Sequence, residues 1–454
     1  MSDTDPTESR VAQWRAYVAQ RDTIARDVDE LEGHLRDQLE GLTASGLSPD
    51  EAFLIAVKRL GALDDLAREF AREHSERLWK QLVAPDAAAA ASRTRGFWLA
   101  LGLAFAAAAA VRLAMSPALQ DGQFASVNVS VLVLPFLAAY FLVRRRAKLS
   151  TVLIVAVPFV AVAAVLNLYP FEAGGMTQPL AAVHAIVALW LVSGIAYLDG
   201  DWRRAHARMD FVRFSGEWFV YYVLIALGGG LLAAVTVGVF GAIGIDALPF
   251  ISEWLLPCGA AGAVVIAAWL VETKQSVIEN IAPVLTRVFT PLFTALLLAL
   301  IAAFALQGVL ASDAGSIVVF GARDLLIVFD VVVVVVLALL LYSLSARDPA
   351  ARPSWFEWLQ LVMLASALAV DVLVLVSMIG RIAEYGASAN KLASLGLNLI
   401  LLVNLAGAAW LQTRFVLGRT AFGRLERWQT AFLPAYLGWA GVVVVVFPLV
   451  FAYA

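Results

Sequence analysis

Eleven apolar stretches, each long enough to cross a bilayer, fill the chain from about Gly96 to its last residues. A helix spans the roughly 30 Å hydrocarbon core with about 20 apolar residues. Apart from a closed barrel, it is the only element whose backbone is satisfied there. The stretches read as 96–115, 127–143, 150–169, 178–198, 218–242, 251–271, 284–309, 325–344, 358–379, 393–411 and 431–452. The chain is 61% hydrophobic and 15% charged, where soluble domains carry about 45–50% and 25%. The expected fold is therefore all-α. It is a polytopic membrane protein with about 11 transmembrane helices (96–454), a linker (86–95) and a small N-terminal helical bundle (1–85).

Charge separates the parts. Residues 1–85 hold 11 basic and 17 acidic side chains, a net −6, and the remainder is +3. An acidic head argues against a nucleic-acid partner, which demands a basic footprint. The single cysteine, Cys258, excludes an intrachain disulfide framework and a multi-cysteine metal site. No cleaved signal peptide is expected from the polar, acidic MSDTDPTESR.

Within the head, Val11, Trp14, Val18, Ile24, Val28, Leu31, Leu35 and Leu39 recur at helical spacing, with a break near Arg21. Ser48, Pro49 and Glu51 read as a helix start with a capping box. The second helix turns Phe53, Leu54, Val57 and Leu60 inward and ends at Gly61. A third begins near Leu63 and carries Leu66, Phe70 and Leu78. A bundle this small is marginal alone, so residues 1–85 are expected to dock on a cytosolic protein partner or on the membrane domain. His34 and His74 have no second ligand at a metal-binding spacing, so no metal site is expected.

Orientation follows from basic residues. With the head in the cytosol, inside loops carry sixteen, including Arg144–Arg146, Arg203, Arg204, Arg213, Arg347 and Arg414. Outside segments carry four: Arg112, Arg323, Arg381 and Lys391. That asymmetry fits the positive-inside rule and puts the C-terminal residues outside.

Ionisable groups in hydrocarbon are the default functional candidates. Asp330 and Asp371 stand out on the hairpin of spans eight and nine, at depths that differ by about one turn. Arg323 lies two turns outward of Asp330, while Arg381, Asn398 and Asn404 can supply donors. One reading is a polar cavity opening outward, whose carboxylate takes a proton or cation during transport of an unidentified small molecule or ion. The other is an interhelical ion pair, Asp330 or Asp371 with Arg381, that fixes packing. His184 reads as a hydrogen-bonded packing residue before a proton relay. Asn167 and Gln307 read as interhelical bonds. Glu217 and Glu272 are expected to reach headgroups from span ends, and the amphipathic linker 414–428 to lie along the cytosolic interface. Gly228–Gly230 within span five, and Pro283 and Pro291 at the entry to span seven, allow kinks or a discontinuous helix, with close helix packing through small residues as the preferred reading. No HExxH, phosphate-binding glycine loop or GxSxG elbow occurs, and Asp199-Gly200-Asp201 lacks a partner motif. An enzyme is not expected, nor a cofactor.

Two stretches resemble known families. Glu30–Phe70, ELEGHLRDQLEGLTASGLSPDEAFLIAVKRLGALDDLAREF, resembles the permease prefix domain, a helical module found ahead of bacterial multi-pass membrane proteins. The resemblance implies a cytosolic regulatory or interaction module. YSLSARDP at 342–349 and IGRIAEYGASANKLASLGLNLILLVNL at 379–405 resemble bacterial membrane proteins of domain-of-unknown-function family 4153. Members usually carry Thr and Arg where this chain has Ser388 and Lys391. This second resemblance implies a polytopic protein of the bacterial inner (cytoplasmic) membrane and adds weight to Arg381, Glu384, Tyr385 and Gly386. Without the family, those four read as a tight extracytoplasmic turn with a local Arg381–Glu384 pair. Together these features predict a permease-like secondary transporter. The alternative is a membrane-bound sensor or scaffold that signals through the head.

Overall fold

The computed structural model describes residues 10–15, 28–45, 47–61, 87–116, 123–242, 245–273, 281–310, 323–347, 351 and 353–454. All the regular structure in them is helical. The chain divides into two compact units, Met1–Ser92 and Arg93–Ala454.

In the first unit, α1 (residues 10–15), α2 (Val28–Ala44) and α3 (Pro49–Gly61) share one apolar cluster. Val11, Trp14, Leu35, Leu39, Phe53 and Val57 are buried in it, on the faces that the helical spacing marks. The expected capping box is formed: the Ser48 amide donates to Glu51 (3.1 Å), and the Glu51 amide donates to the Ser48 hydroxyl (3.4 Å). Arg10 pairs with Asp50, and Glu32 takes both Arg15 and Arg36. His34 lies on the exposed face. The stretch expected to hold the head's third helix, and His74, lie outside the described residues.

In the second unit nine helices, among the described residues, are long and apolar enough to cross a membrane. Two shorter apolar helices, Thr286–Ala302 and Phe329–Ser345, fall in the expected spans seven and eight. The elements are α4 (Ala87–Ala114), α5 (Gln123–Arg145), α6 (Leu149–Leu168), α7 (Thr177–Tyr197) and α8 (Ala205–Ala242). They continue with α9 (Leu256–Thr273), α10 (Ile281–Leu310), α11 (Arg323–Ser345), α12 (Trp355–Tyr385), α13 (Ala389–Val416), α14 (Phe422–Ala431) and α15 (Leu433–Val450). A π-helical turn, Ile251–Leu255, leads into α9. Helix α7 packs on α5, α6 and α15, while α12 packs on α10, α11 and α13. Helix α8 touches α9, α11 and α14, and so joins the two groups. The outer faces stay apolar and uncovered by protein, as at Phe105, Val157, Val160, Leu227 and Val376. Hydrocarbon is the solvent such a surface fits.

Contacts at the helix ends join residues that the loop alternation assigns to one side. Glu272 accepts from Tyr140 (2.9 Å) and pairs with Arg145 (3.0 Å) and Arg144 (3.5 Å). Arg213 donates to the Ser345 carbonyl (2.9 Å), and Arg347 pairs with Glu357 (2.8 Å). At the opposite ends, the Glu172 and Thr177 amides donate to the carbonyls of Tyr453 (3.1 Å) and Ala454 (3.1 Å).

Several local expectations change. Glu272 turns into the protein instead of towards headgroups, because one phenol and two guanidiniums satisfy it there. Glu217 is also buried. Phe415, Phe422 and Leu425 of the 414–428 stretch are buried against the bundle, leaving Leu417 exposed. Pro291 lies within the continuous α10. The Gly228–Gly230 run makes no close packing, since a Cβ at any of the three meets nothing within 4 Å. Close approaches lie instead at Gly396 against Trp439, Gly407 against Trp428, Gly216 against Tyr342 and Gly194 against Phe211, where a Cβ would overlap the aromatic ring.

Gly407→Ala is accordingly expected to lower stability by about 1–3 kcal/mol through overpacking. Gly228→Ala should not, since it adds helix propensity in open space. Unfolding of the two variants in detergent checks this. A second expectation concerns Glu32. Burial works to raise its carboxyl, but hydrogen bonds and charge from Arg36 and Arg15 outweigh it and hold the group below its ordinary 4.5. The stabilisation this pairing provides is present above that ordinary value and is lost as pH falls through the lowered one. Hydrogen exchange of α2 amides in the full-length protein should show that acid sensitivity, and Glu32→Gln should remove it.

Candidate functional site

The candidate residues sit on three adjacent helices. A cavity of about 540 Å³ is lined by Asp330 from α11, Met378 and Arg381 from α12, and Ser388, Asn390, Lys391 and Ser394 around the start of α13. Met176 and α7 residues Pro179, Leu180 and Val183 form its apolar wall. Asp330 is half-buried at the cavity lining. The Ser394 hydroxyl donates to one of its oxygens (3.0 Å) and the Asn398 amide to the other (2.8 Å). Ser394 and Asn398 are four apart, so one face of α13 grips the carboxylate.

Asp371 lies deeper. It is 1% exposed, and neither carboxylate oxygen has a hydrogen-bond partner among the described residues. A carboxylate in hydrocarbon without compensating bonds is among the costliest arrangements a helix bundle can hold. At about the same depth on α13, the Asn404 amide donates to the Tyr436 hydroxyl (2.9 Å) of α15, and Trp428 Nε1 donates to the Asn404 carbonyl (3.0 Å). Asn398 and Asn404 are both fully buried, and their Oδ1 atoms have no partner among the described residues.

A third polar group occupies the other end of the same seam. Gln360 donates to Ser343 (2.6 Å), and Gln412 donates to Gln360 Oε1 (3.3 Å) and to the Glu357 carbonyl (3.4 Å). Beneath them Glu357 holds Arg347 (2.8 Å) and closes a capping box with Ser354 (2.6 Å). The Arg347 guanidinium also stacks on Phe415 (4.8 Å) and Phe422 (5.2 Å). From Ser394 to Gln412 along α13 is about 27 Å at 1.5 Å per residue, close to the hydrocarbon thickness. Fully buried Leu401, Leu405 and Ala408 separate the levels.

The other candidates are placed less centrally. Arg381 is half-buried at the cavity. Glu384 and Tyr385 are exposed at the end of α12, before Gly386 at φ 75° turns the chain. Lys391 donates to the Gly386 carbonyl (2.7 Å) and lies over the Tyr385 ring (5.7 Å). Arg323 opens α11, but its side chain lies outside the described residues, as does that of Gln307. His184 contacts the Leu180 carbonyl one turn away (2.9 Å). Asn167 exchanges bonds with Asn128 across α5 and α6 (2.7 and 3.0 Å). Asp201 pairs with Arg204 at the surface (3.2 Å). Sequence reasoning passed over Ser394, Tyr436, Gln360 and Gln412. For Gln360 and Gln412 the signal was polar residues recurring on the faces that carry Asp371 or Asn404, while Tyr436, on α15, carried none.

No family model, curated protein or solved structure matches the chain.

The Asn404–Tyr436 bond gives a direct check on the seam. A double-mutant cycle of Asn404→Ala and Tyr436→Phe is expected to show a coupling of about 0.6 kcal/mol in detergent unfolding, the typical value for a hydrogen bond between membrane helices. A coupling of zero would mean that the two groups do not meet.

Proposed function

We propose that this chain is a bacterial inner-membrane, permease-like secondary transporter of eleven spans, with its head in the cytosol and its C-terminal residues outside. The head is read as a regulatory module of the permease-prefix type, and the membrane region as a relative of family 4153. The observation that carries the transport reading is Asp371, buried with both oxygens lacking partners among the described residues, behind a cavity that exposes Asp330. Static packing gives no reason to keep such a carboxylate, since an apolar side chain of similar size would fill the space at lower cost. A transport cycle does. Loading a proton or cation onto Asp371 cancels the cost of burial, and release restores it, so occupancy of the carboxylate biases which conformation is stable. No nucleotide-binding motif is present in the sequence, so an ion gradient is the natural source of energy.

A second reading is supported by the head, which has its own buried core in a separate compact unit. In it, the head passes a signal to a cytosolic protein and the membrane region senses. Purification from the native host with and without residues 1–85 separates the readings, because a specific partner lost with the head favours signalling.

In vesicles, Asp371→Asn is expected to abolish gradient-driven solute uptake while the protein still inserts and unfolds cooperatively. Asp371→Asn with flux and stability both unchanged would remove the residue from any transport role.

A further inference from the structure

From the charges lining the cavity we infer that its ligand is a small amphoteric solute, with an ammonium group and an anionic group several bonds apart and an apolar body between them. This inference rests on reading the cavity as the solute site and names the class of solute that it takes.

The inner end selects a cation. A carboxylate has about four lone-pair positions, and Asp330 uses two, for Ser394 and Asn398. Both donors are neutral, and no cation pairs with Asp330 among the described residues. A ligand ammonium supplies the missing charge and takes the remaining acceptor positions.

The outer end selects an anion. Lys391 and Arg381 both line the cavity, and no carboxylate pairs with Lys391 among the described residues. The Lys391 ammonium is held in place by the carbonyls of Gly386 (2.7 Å) and Arg381 (3.4 Å), which use two of its three donors and leave one for an anion. Ser388 and Asn390 place the first turn of α13 at the same end, where a helix favours negative charge. Between the two ends, Met176, Leu180, Val183 and Met378 offer an apolar wall that suits methylenes.

The spacing follows from the helix. The first turn of α13 and the level midway between Ser394 and Asn398 are about seven residues apart, or roughly 10 Å. After a hydrogen-bond length at each end, a ligand must separate its charges by more than an α-amino acid does.

The test is thermal unfolding of the purified full-length protein in detergent, with glycine, 4-aminobutyrate, 6-aminohexanoate, butylamine and butyrate at equal concentration. Binding to the folded state raises Tm. The longer amino acids are expected to raise it, with glycine and the two single-charge compounds giving smaller shifts. Asp330→Asn should abolish the shift, although its amide can still accept from Ser394 and so keep the local packing. Lys391→Gln should reduce it. Equal shifts from butylamine alone, equal shifts from glycine, or no shift with any compound would overturn the inference. Because the readout is occupancy, binding without uptake in vesicles would count against transport alone and leave the ligand class standing.

Discussion

Inside hydrocarbon a carboxamide or carboxyl group has no water to bond with, and the seam of α11, α12 and α13 is organised by that constraint. Asn404 turns to Tyr436, Gln412 to Gln360, and Asn398 to Asp330, each bond tying together two helices distant in sequence. Individually such bonds are modest in membranes. Their effect is on register, because sliding one helix past another by a turn would leave several buried polar groups unsatisfied together. Asp371 is the exception in the set, surrounded by the same core without the same compensation.

Close packing keeps the seam aligned. Gly396 and Gly407 let the indoles of Trp439 and Trp428 lie directly against α13, and both rings also bond to its backbone carbonyls, at Ala393 (3.2 Å) and Asn404 (3.0 Å). Helix α13 is thereby held from α14 and α15 on one side and carries the cavity's polar groups on another. On the far side of α8, an aromatic group including Trp190, Trp218 and Phe214 packs the first helices, with Trp190 and Trp218 centred 4.4 Å apart. The small-residue contacts that matter are thus single glycines facing aromatic rings. Gly228–Gly230 face open space instead.

Much of this was legible in the chain. Long apolar runs report helices directly, and the head's spacing marked Trp14, Leu35 and Phe53 as core. Asp330, Asp371, Asn398 and Asn404 were visible because charge and amide groups are rare in such runs. Their partners were harder to see: Ser394 and Tyr436 are unremarkable residues in membrane helices, and their roles depend on pairings 64 and 32 residues away. Glu272 misled for the opposite reason. A carboxylate at a span end resembles a headgroup ligand until the neighbouring helix supplies Tyr140 and Arg145.

The central claim is that the Asp330 level is reached by water from one side of the membrane, while the core below Asp371 is not. Thiol labelling measures this most directly, using a membrane-impermeant reagent on intact cells and single cysteines in a Cys258→Ser background. The account predicts that Ser394→Cys reacts from the outside and Ala408→Cys reacts from neither side. A silent Ser394→Cys, or an Ala408→Cys that reacts equally fast, would contradict it.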